Sequence, residues 1–169
     1  MSENVNILVI DDNQENLKVV STYLKEKGYK IALALNGASA LKILDENKID
    51  LILLDIMMPE MDGFEVCKRL KGNPKTREIP VIFLTAKNDT EDIVKGFQLG
   101  GVDYITKPFK KEELYARVKN HAQIKQIKDI LRERMEESIK SRDMFMRTLY
   151  DLSKIIDPPA VDENNEKRK

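Results

Sequence analysis

Much that would announce a function at first reading is missing from this chain of 169 residues. Net charge is absent: 29 basic side chains balance 29 acidic ones, so no global field draws the protein to a polyanion or a membrane surface. No apolar run approaches the length that spans a bilayer. The N-terminal stretch MSENVNILVIDD has neither the basic flank nor the long apolar core of a signal peptide. The lone cysteine, Cys67, cannot close an internal disulfide. It stands in FEVCKRL on a helix face with Phe64 and Leu70, which reads as a small core residue rather than a reactive thiol. These absences lead to the expectation of a cytoplasmic protein with no membrane contact. Glycine and proline are also absent from about Lys111 to Ile156, which predicts one uninterrupted helix of roughly 70 Å at about 1.5 Å per residue.

Before that helix, short apolar runs alternate with amphipathic stretches. The runs are Ile7–Ile10, Ile31–Leu35, Leu51–Leu54, Val81–Leu84 and Val102–Ile105. Between them Leu17, Val20 and Leu24 mark a first helix, Ala40, Leu41 and Leu44 a second, Phe64, Cys67 and Leu70 a third, and Ile93 and Phe97 a fourth. Gly28, Gly72-Asn73-Pro74 and Gly100-Gly101 punctuate the helix ends, and Asp62 with Glu65 reads as a capping pair. Five strand–helix repeats predict an α/β fold, a parallel sheet with helices on both faces. The near-continuous aliphatic runs suit strands buried on both sides. In open sheets of this class, ligands bind beyond the carboxyl ends of the strands.

Chemistry-bearing residues stand at just those ends. Asp11 and Asp12 follow the first run, Asp55 the third, Thr85 the fourth and Lys107 the fifth. Singly, each has a bland explanation: an acidic pair opens a helix-capping turn (Asp12 or Asn13), a threonine satisfies a backbone group, a lysine sits solvated in a loop. Parallel strands would nevertheless gather three carboxylates, a hydroxyl and an ammonium along one sheet edge. Close carboxylates repel unless a cation binds, and oxygen-only ligands of this number suit Mg²⁺. Such a site leaves an aspartate free as nucleophile, with Thr85 and Lys107 supplying contacts to a transferred group. The chemistry expected is phosphoryl transfer to Asp55.

The set DD (11–12), LILLDIMMPEMDG (51–63), FLTA (83–86) and DYITKPF (103–109) resembles the receiver domain of two-component response regulators, over about residues 4–124. The resemblance implies a doubly wound, flavodoxin-like sheet of order 2-1-3-4-5. It implies that Asp55 is the phosphoacceptor, and that Asp12, Asp55 and the main-chain carbonyl of Met57 hold Mg²⁺, with Asp11 orienting the metal through water. Lys107 would contact the phosphoryl group, and Thr85 would swing towards it, letting the ring of Tyr104 pack inward. A cis peptide is expected between Lys107 and Pro108. The implied phosphodonor is a sensor histidine kinase or phosphotransfer protein, and the domain would act as a switch rather than as a turnover enzyme.

Two rivals fit less well. Aspartyl phosphatases and mutases of similar fold carry a second acid two residues after the nucleophile, where this chain has Met57. Flavin- or nucleotide-binding domains cradle phosphate in a glycine- or hydroxyl-rich loop after the first strand, where this chain has DDNQEN.

The organisation expected is a receiver over residues 1–124, a helical extension over 125–156 and a disordered polar tail over 157–169. In the extension Ile124, Lys128, Leu131, Met135, Ser138, Arg142, Phe145, Leu149, Leu152 and Ile156 fall at alternating four- and three-residue steps, and seven of the ten are apolar. A helix of this length needs a partner for such a seam, and a parallel coiled coil from a second copy is expected. Basic residues there are interleaved with Asp129, Glu133, Glu136 and Glu137, a solvated face rather than a DNA-binding one. The alternatives are a scaffold acting through its coiled coil, or an input domain of a larger enzyme such as a cyclic-dinucleotide or kinase protein.

Overall fold

The computed structural model describes residues 5–86 and 90–156, and side chains as far as 152. Parallel strands β1 (Asn6–Ile10), β2 (Lys30–Ala34), β3 (Leu51–Asp55), β4 (Val81–Ala86) and β5 (Asp103–Lys107) form one sheet of order β2-β1-β3-β4-β5. Helices α1 (Gln14–Lys25), α2 (Gly37–Glu46), α3 (Gly63–Gly72) and α4 (Thr90–Gln98) connect them, and α5 (Lys111–Ile156) follows. The chain divides into two compact units, Met1–Gln126 and Ile127–Lys169. The expectation of a disordered tail lies outside the described residues.

The period-two alternation of each strand splits the core in two. Leu8, Ile10, Ile52, Leu54, Val81 and Phe83 point to one side, where Ala40, Phe64, Cys67 and Leu70 cover them. Ile7, Val9, Leu51, Leu53, Ile82 and Leu84 point to the other, under Leu17, Val20 and Leu24 of α1 and Leu114 and Val118 of α5. Burying each such aliphatic side chain contributes about 1.5–3 kcal/mol. Only the three central strands are buried on both faces; β2 and β5 are edges and leave Lys30, Leu33 and the flanks of Ile105 partly open. The sequence alone could not show this, because an edge is defined by which strand lacks a neighbour. Phe97, expected on a buried helix face, is likewise 47% exposed and rests edge-on against Tyr104 at 6.3 Å.

Helix ends follow local chemistry. Asn13 caps α1 by accepting from the N–H groups of Glu15 and Asn16. Asp62 caps α3 through the Glu65 N–H at 2.8 Å, but the Glu65 carboxylate turns to Arg69 instead of completing a capping box. Cys67 is buried, its thiol donates to the Leu99 carbonyl at 3.6 Å, and burial pushes its pKa up.

The β3–α3 connection places the strand end tightly. Glu60 takes a left-handed backbone, φ 65°. The Gly63 N–H donates to the Ile56 carbonyl, and a Cβ on Gly63 would lie 2.2 Å from the Asp55 carbonyl oxygen. No side chain fits that gap without moving the backbone of Asp55. Gly63→Ala should therefore cost about 2–3 kcal/mol and lower the thermal midpoint, whereas Gly72→Ala, with open space around it, should not.

A second tether joins β5 to α5. Asp103 accepts from Arg117 at 2.7 Å, from His121 at 3.0 Å and from the Tyr104 N–H at 2.8 Å. Burial alone would raise its pKa, but these three donors outweigh it and hold the carboxyl below the ordinary value of 3.8. A depressed folded-state pKa gives stability that is present above the unfolded-state value and lost as pH falls through the folded one. Asp103→Asn should consequently lower the midpoint at neutral pH, and the wild-type and variant midpoints should converge as pH drops below 3.8.

Candidate functional site

At the carboxyl end of β1 the Asp11 N–H still bonds to the Ala34 carbonyl, so the chain leaves the sheet only after Asp11. Its side chain is fully buried, Asp12 beside it is exposed, and Asp55 is buried at the end of β3. The three carboxylates offer oxygens that all lie within 4.8 Å of one another. Lys107, the last residue of β5, reaches across with its ammonium 2.7 Å from Asp11 Oδ2 and 2.9 Å from Asp55 Oδ2. The peptide from Lys107 to Pro108 is cis, as the receiver-domain resemblance implies.

Burial is the largest influence on Asp55 and raises its pKa; the Lys107 ammonium and the Met57 N–H, 3.3 Å from Oδ1, pull the other way. Burial would lower the Lys107 pKa, but hydrogen bonds and attraction from Asp11 and Asp55 raise it instead. The lysine is therefore a held cation between two buried carboxylates. Removing one member of such a group strands the others, at about 3–5 kcal/mol. An oxygen-only donor set of this density, one ammonium for three carboxylates, fits a small hard cation.

Thr85 is buried at the end of β4, level with Thr106 of β5. It shares a small cavity with Phe83, Phe97 and Tyr104. Tyr104 is half-buried on the edge strand, with the Arg117 guanidinium 5.6 Å from its ring centroid. The Met57 side chain is 70% exposed and takes no part in the carboxylate cluster.

Two features escape the sequence reading. Asn16 spans both oxygens of Asp11 with its side-chain amide, at 3.2 and 3.0 Å. The Asn13 N–H donates to Asp11 Oδ1 at 2.8 Å. The signal was present as an asparagine one turn into the helix opened by Asn13, but an amide there also reads as an ordinary polar face. Among the described residues no helix is long and apolar enough to cross a membrane.

Residues 7–119 match the response regulator receiver domain. The chain is 50% identical over 125 residues to the "Probable cyclic di-GMP phosphodiesterase" of Vibrio cholerae, covering 74% of this chain and 28% of that one. It is 41% identical over 128 residues to response regulator PleD of Caulobacter vibrioides, covering 76% of this chain and 28% of that protein. The chain thus spans under a third of the length of these relatives. Among solved structures it resembles a two-component response regulator from Clostridium difficile, with TM-score 0.67, 34% identity and coverage of 71% of this chain and 97% of that one. The Francisella response regulator 1452 receiver domain gives TM-score 0.66 at 35% identity, covering 71% of this chain and 98% of that one. With this sheet order and this acidic edge, the chain belongs to the response regulator receiver domain family.

Proposed function

We propose that the protein is a phosphorylation-controlled switch in which Asp55 is the phosphoacceptor. The observation that carries this reading is the Lys107 ammonium bridging Asp11 and Asp55 at 2.7 and 2.9 Å, with Asp12 close by. A carboxylate oxygen of Asp55 attacks phosphorus on a phosphohistidine of a sensor kinase or phosphotransfer protein. The P–O bond forms as the P–N bond breaks, and the departing imidazole takes up a proton. Lys107 remains protonated, because its two anionic partners outweigh its burial, and it offers N–H donors to the phosphoryl oxygens. Asp12, Asp55 and the Met57 carbonyl are the proposed Mg²⁺ ligands, with Asp11 acting through water. A bound Mg²⁺ would offset the charge on the phosphoryl oxygens beside the carboxylates.

The reporting face is α4, β5 and α5. Thr85 and Tyr104 line one cavity, so a hydroxyl drawn towards the phosphoryl group frees space for the Tyr104 ring. Such a group biases two arrangements that already exist. The protein stores and passes on a signal; it does not turn over a substrate.

The output proposed is a parallel homodimer through the second unit. Within it, the apolar side chains from Ile127 to Leu152 are each between 45% and 70% exposed. Ile127, Ile139 and Met146 flank the seam of Leu131, Met135, Phe145 and Leu149 and widen it. Most helix stability in proteins comes from packing an apolar face, and a second copy buries this one. The Vibrio cholerae relative's name favours a second reading, in which the same helix regulates a cyclic-dinucleotide enzyme domain of a longer protein.

Acetyl phosphate with Mg²⁺ should label the protein with an acid-stable, base-labile phosphoryl group. Asp55→Asn should abolish the labelling; labelling that persists refutes the assignment. Leu131→Glu together with Phe145→Glu should turn a sedimenting dimer into a monomer without altering Asp55 labelling. Beryllofluoride with Mg²⁺ should shift the wild-type association constant. In Thr85→Ala that shift should be lost, although labelling continues at a reduced rate.

A further inference from the structure

The donors around Asp11 are arranged in a way that the role of Lys107 makes consequential. Asp11 is fully buried. Its carboxylate receives the Asn13 N–H at 2.8 Å, the Lys107 ammonium at 2.7 Å and the Asn16 amide at 3.2 and 3.0 Å. Lys107 simultaneously serves Asp55 at 2.9 Å. An ammonium has three N–H donors, so phosphoryl oxygens on Asp55 compete with Asp11 for the same group. A buried carboxylate that loses a donor without replacement is penalised and free to rotate.

Asn16 already donates to the same carboxylate from α1. The Asn13 side chain caps α1 by accepting from the Asn16 N–H at 3.3 Å, while the Asn13 N–H bonds to Asp11. Leu17, Val20 and Leu24 pin the same helix to the sheet. The amide therefore approaches Asp11 from an element fixed independently of β5. Because an ionised carboxylate only accepts, the Asn16 group facing it is the NH₂. Being neutral, it steadies the anion without cancelling the charge that attracts a cation, as a lysine there would.

We infer that Asn16 is a positioning residue of the cation site: its side-chain amide keeps the Asp11 carboxylate directed towards Asp12 and Asp55, before phosphorylation and also when Lys107 turns to phosphoryl oxygens. This rests on the phosphoacceptor reading above.

Isothermal titration calorimetry of the full chain with MgCl₂ tests it, on wild type, Asn16→Leu, Asn16→Asp and Asn16→Gln. Asn16→Leu fills the space without a donor and should weaken Mg²⁺ binding about 10-fold or more, the usual effect of removing a group that orients a metal ligand. Asn16→Asp, equal in size but acceptor-only, should change the affinity by at least as much, and Asn16→Gln should regain most of it. Labelling of Asn16→Leu by acetyl phosphate should recover as Mg²⁺ is raised, a response that general damage to the fold does not give. Binding by Asn16→Leu within twofold of wild type overturns the inference alone, and so does labelling that stays low at saturating Mg²⁺. If Asn16→Leu does not fold, equal affinities for Asn16→Asp and Asn16→Gln overturn it. Wild type that binds no Mg²⁺ and takes no label overturns the phosphoacceptor reading together with this one.

Discussion

Everything at the carboxyl edge of the sheet is arranged around one buried charge contact, the Lys107 ammonium between Asp11 and Asp55. Burial this deep in an apolar fold pushes the Asp55 pKa up. The lysine opposes the effect of burial on Asp55, and the two carboxylates in turn keep it a cation. Three strands must deliver those groups to one point, since Asp11 follows β1, Asp55 ends β3 and Lys107 ends β5. The order β2-β1-β3-β4-β5 puts β3 next to β1 but leaves β4 between β3 and β5, so the lysine has to cross the end of β4. Its long stem supplies that reach.

The backbone around this contact is correspondingly constrained. The close passage of Gly63 over the Asp55 carbonyl and the left-handed Glu60 hold the β3–α3 loop against the strand end. Asn13 ties Asp11 to the start of α1. The acidic edge is thus held by short, local hydrogen bonds, while the large apolar faces of the strands provide the stability beneath it. The face farther along the sheet is built differently. Thr85 and Tyr104 border a cavity rather than a packed wall, and Phe97 remains half-exposed. The acids are thus tightly tethered, and the edge strand is more loosely packed.

Much of the core site was legible because the topology of parallel sheets converts sequence position into spatial position. Once the five aliphatic runs are parallel strands, the residues after them must share an edge, and DD, Asp55, Thr85 and Lys107 fall there together. The capping role of Asp62 was readable for the same local reason. The exposure of β2 and β5, the outward setting of Phe97 and the failure of Glu65 to close a capping box were not readable. Each depends on a neighbour from elsewhere in the chain or on a competing partner, Arg69 in the last case. Asn16 was missed because its partner is five residues away across a strand–helix junction whose geometry no periodicity encodes.

The sequence by itself determined the fold class, the identity of the acids, hydroxyl and amine, and the unbroken helix from Lys111 to Ile156. These follow from hydrophobic period, from glycine and proline placement and from the spacing of motifs, all of which are local. Only the tertiary structure decided which side chains touch. It gave Lys107 to both carboxylates, Asn16 to Asp11, and Asp103 to Arg117 and His121 together. Contacts of a few ångströms between residues up to ninety-six positions apart depend on how the sheet twists and how the helices seat, which no single stretch of chain contains.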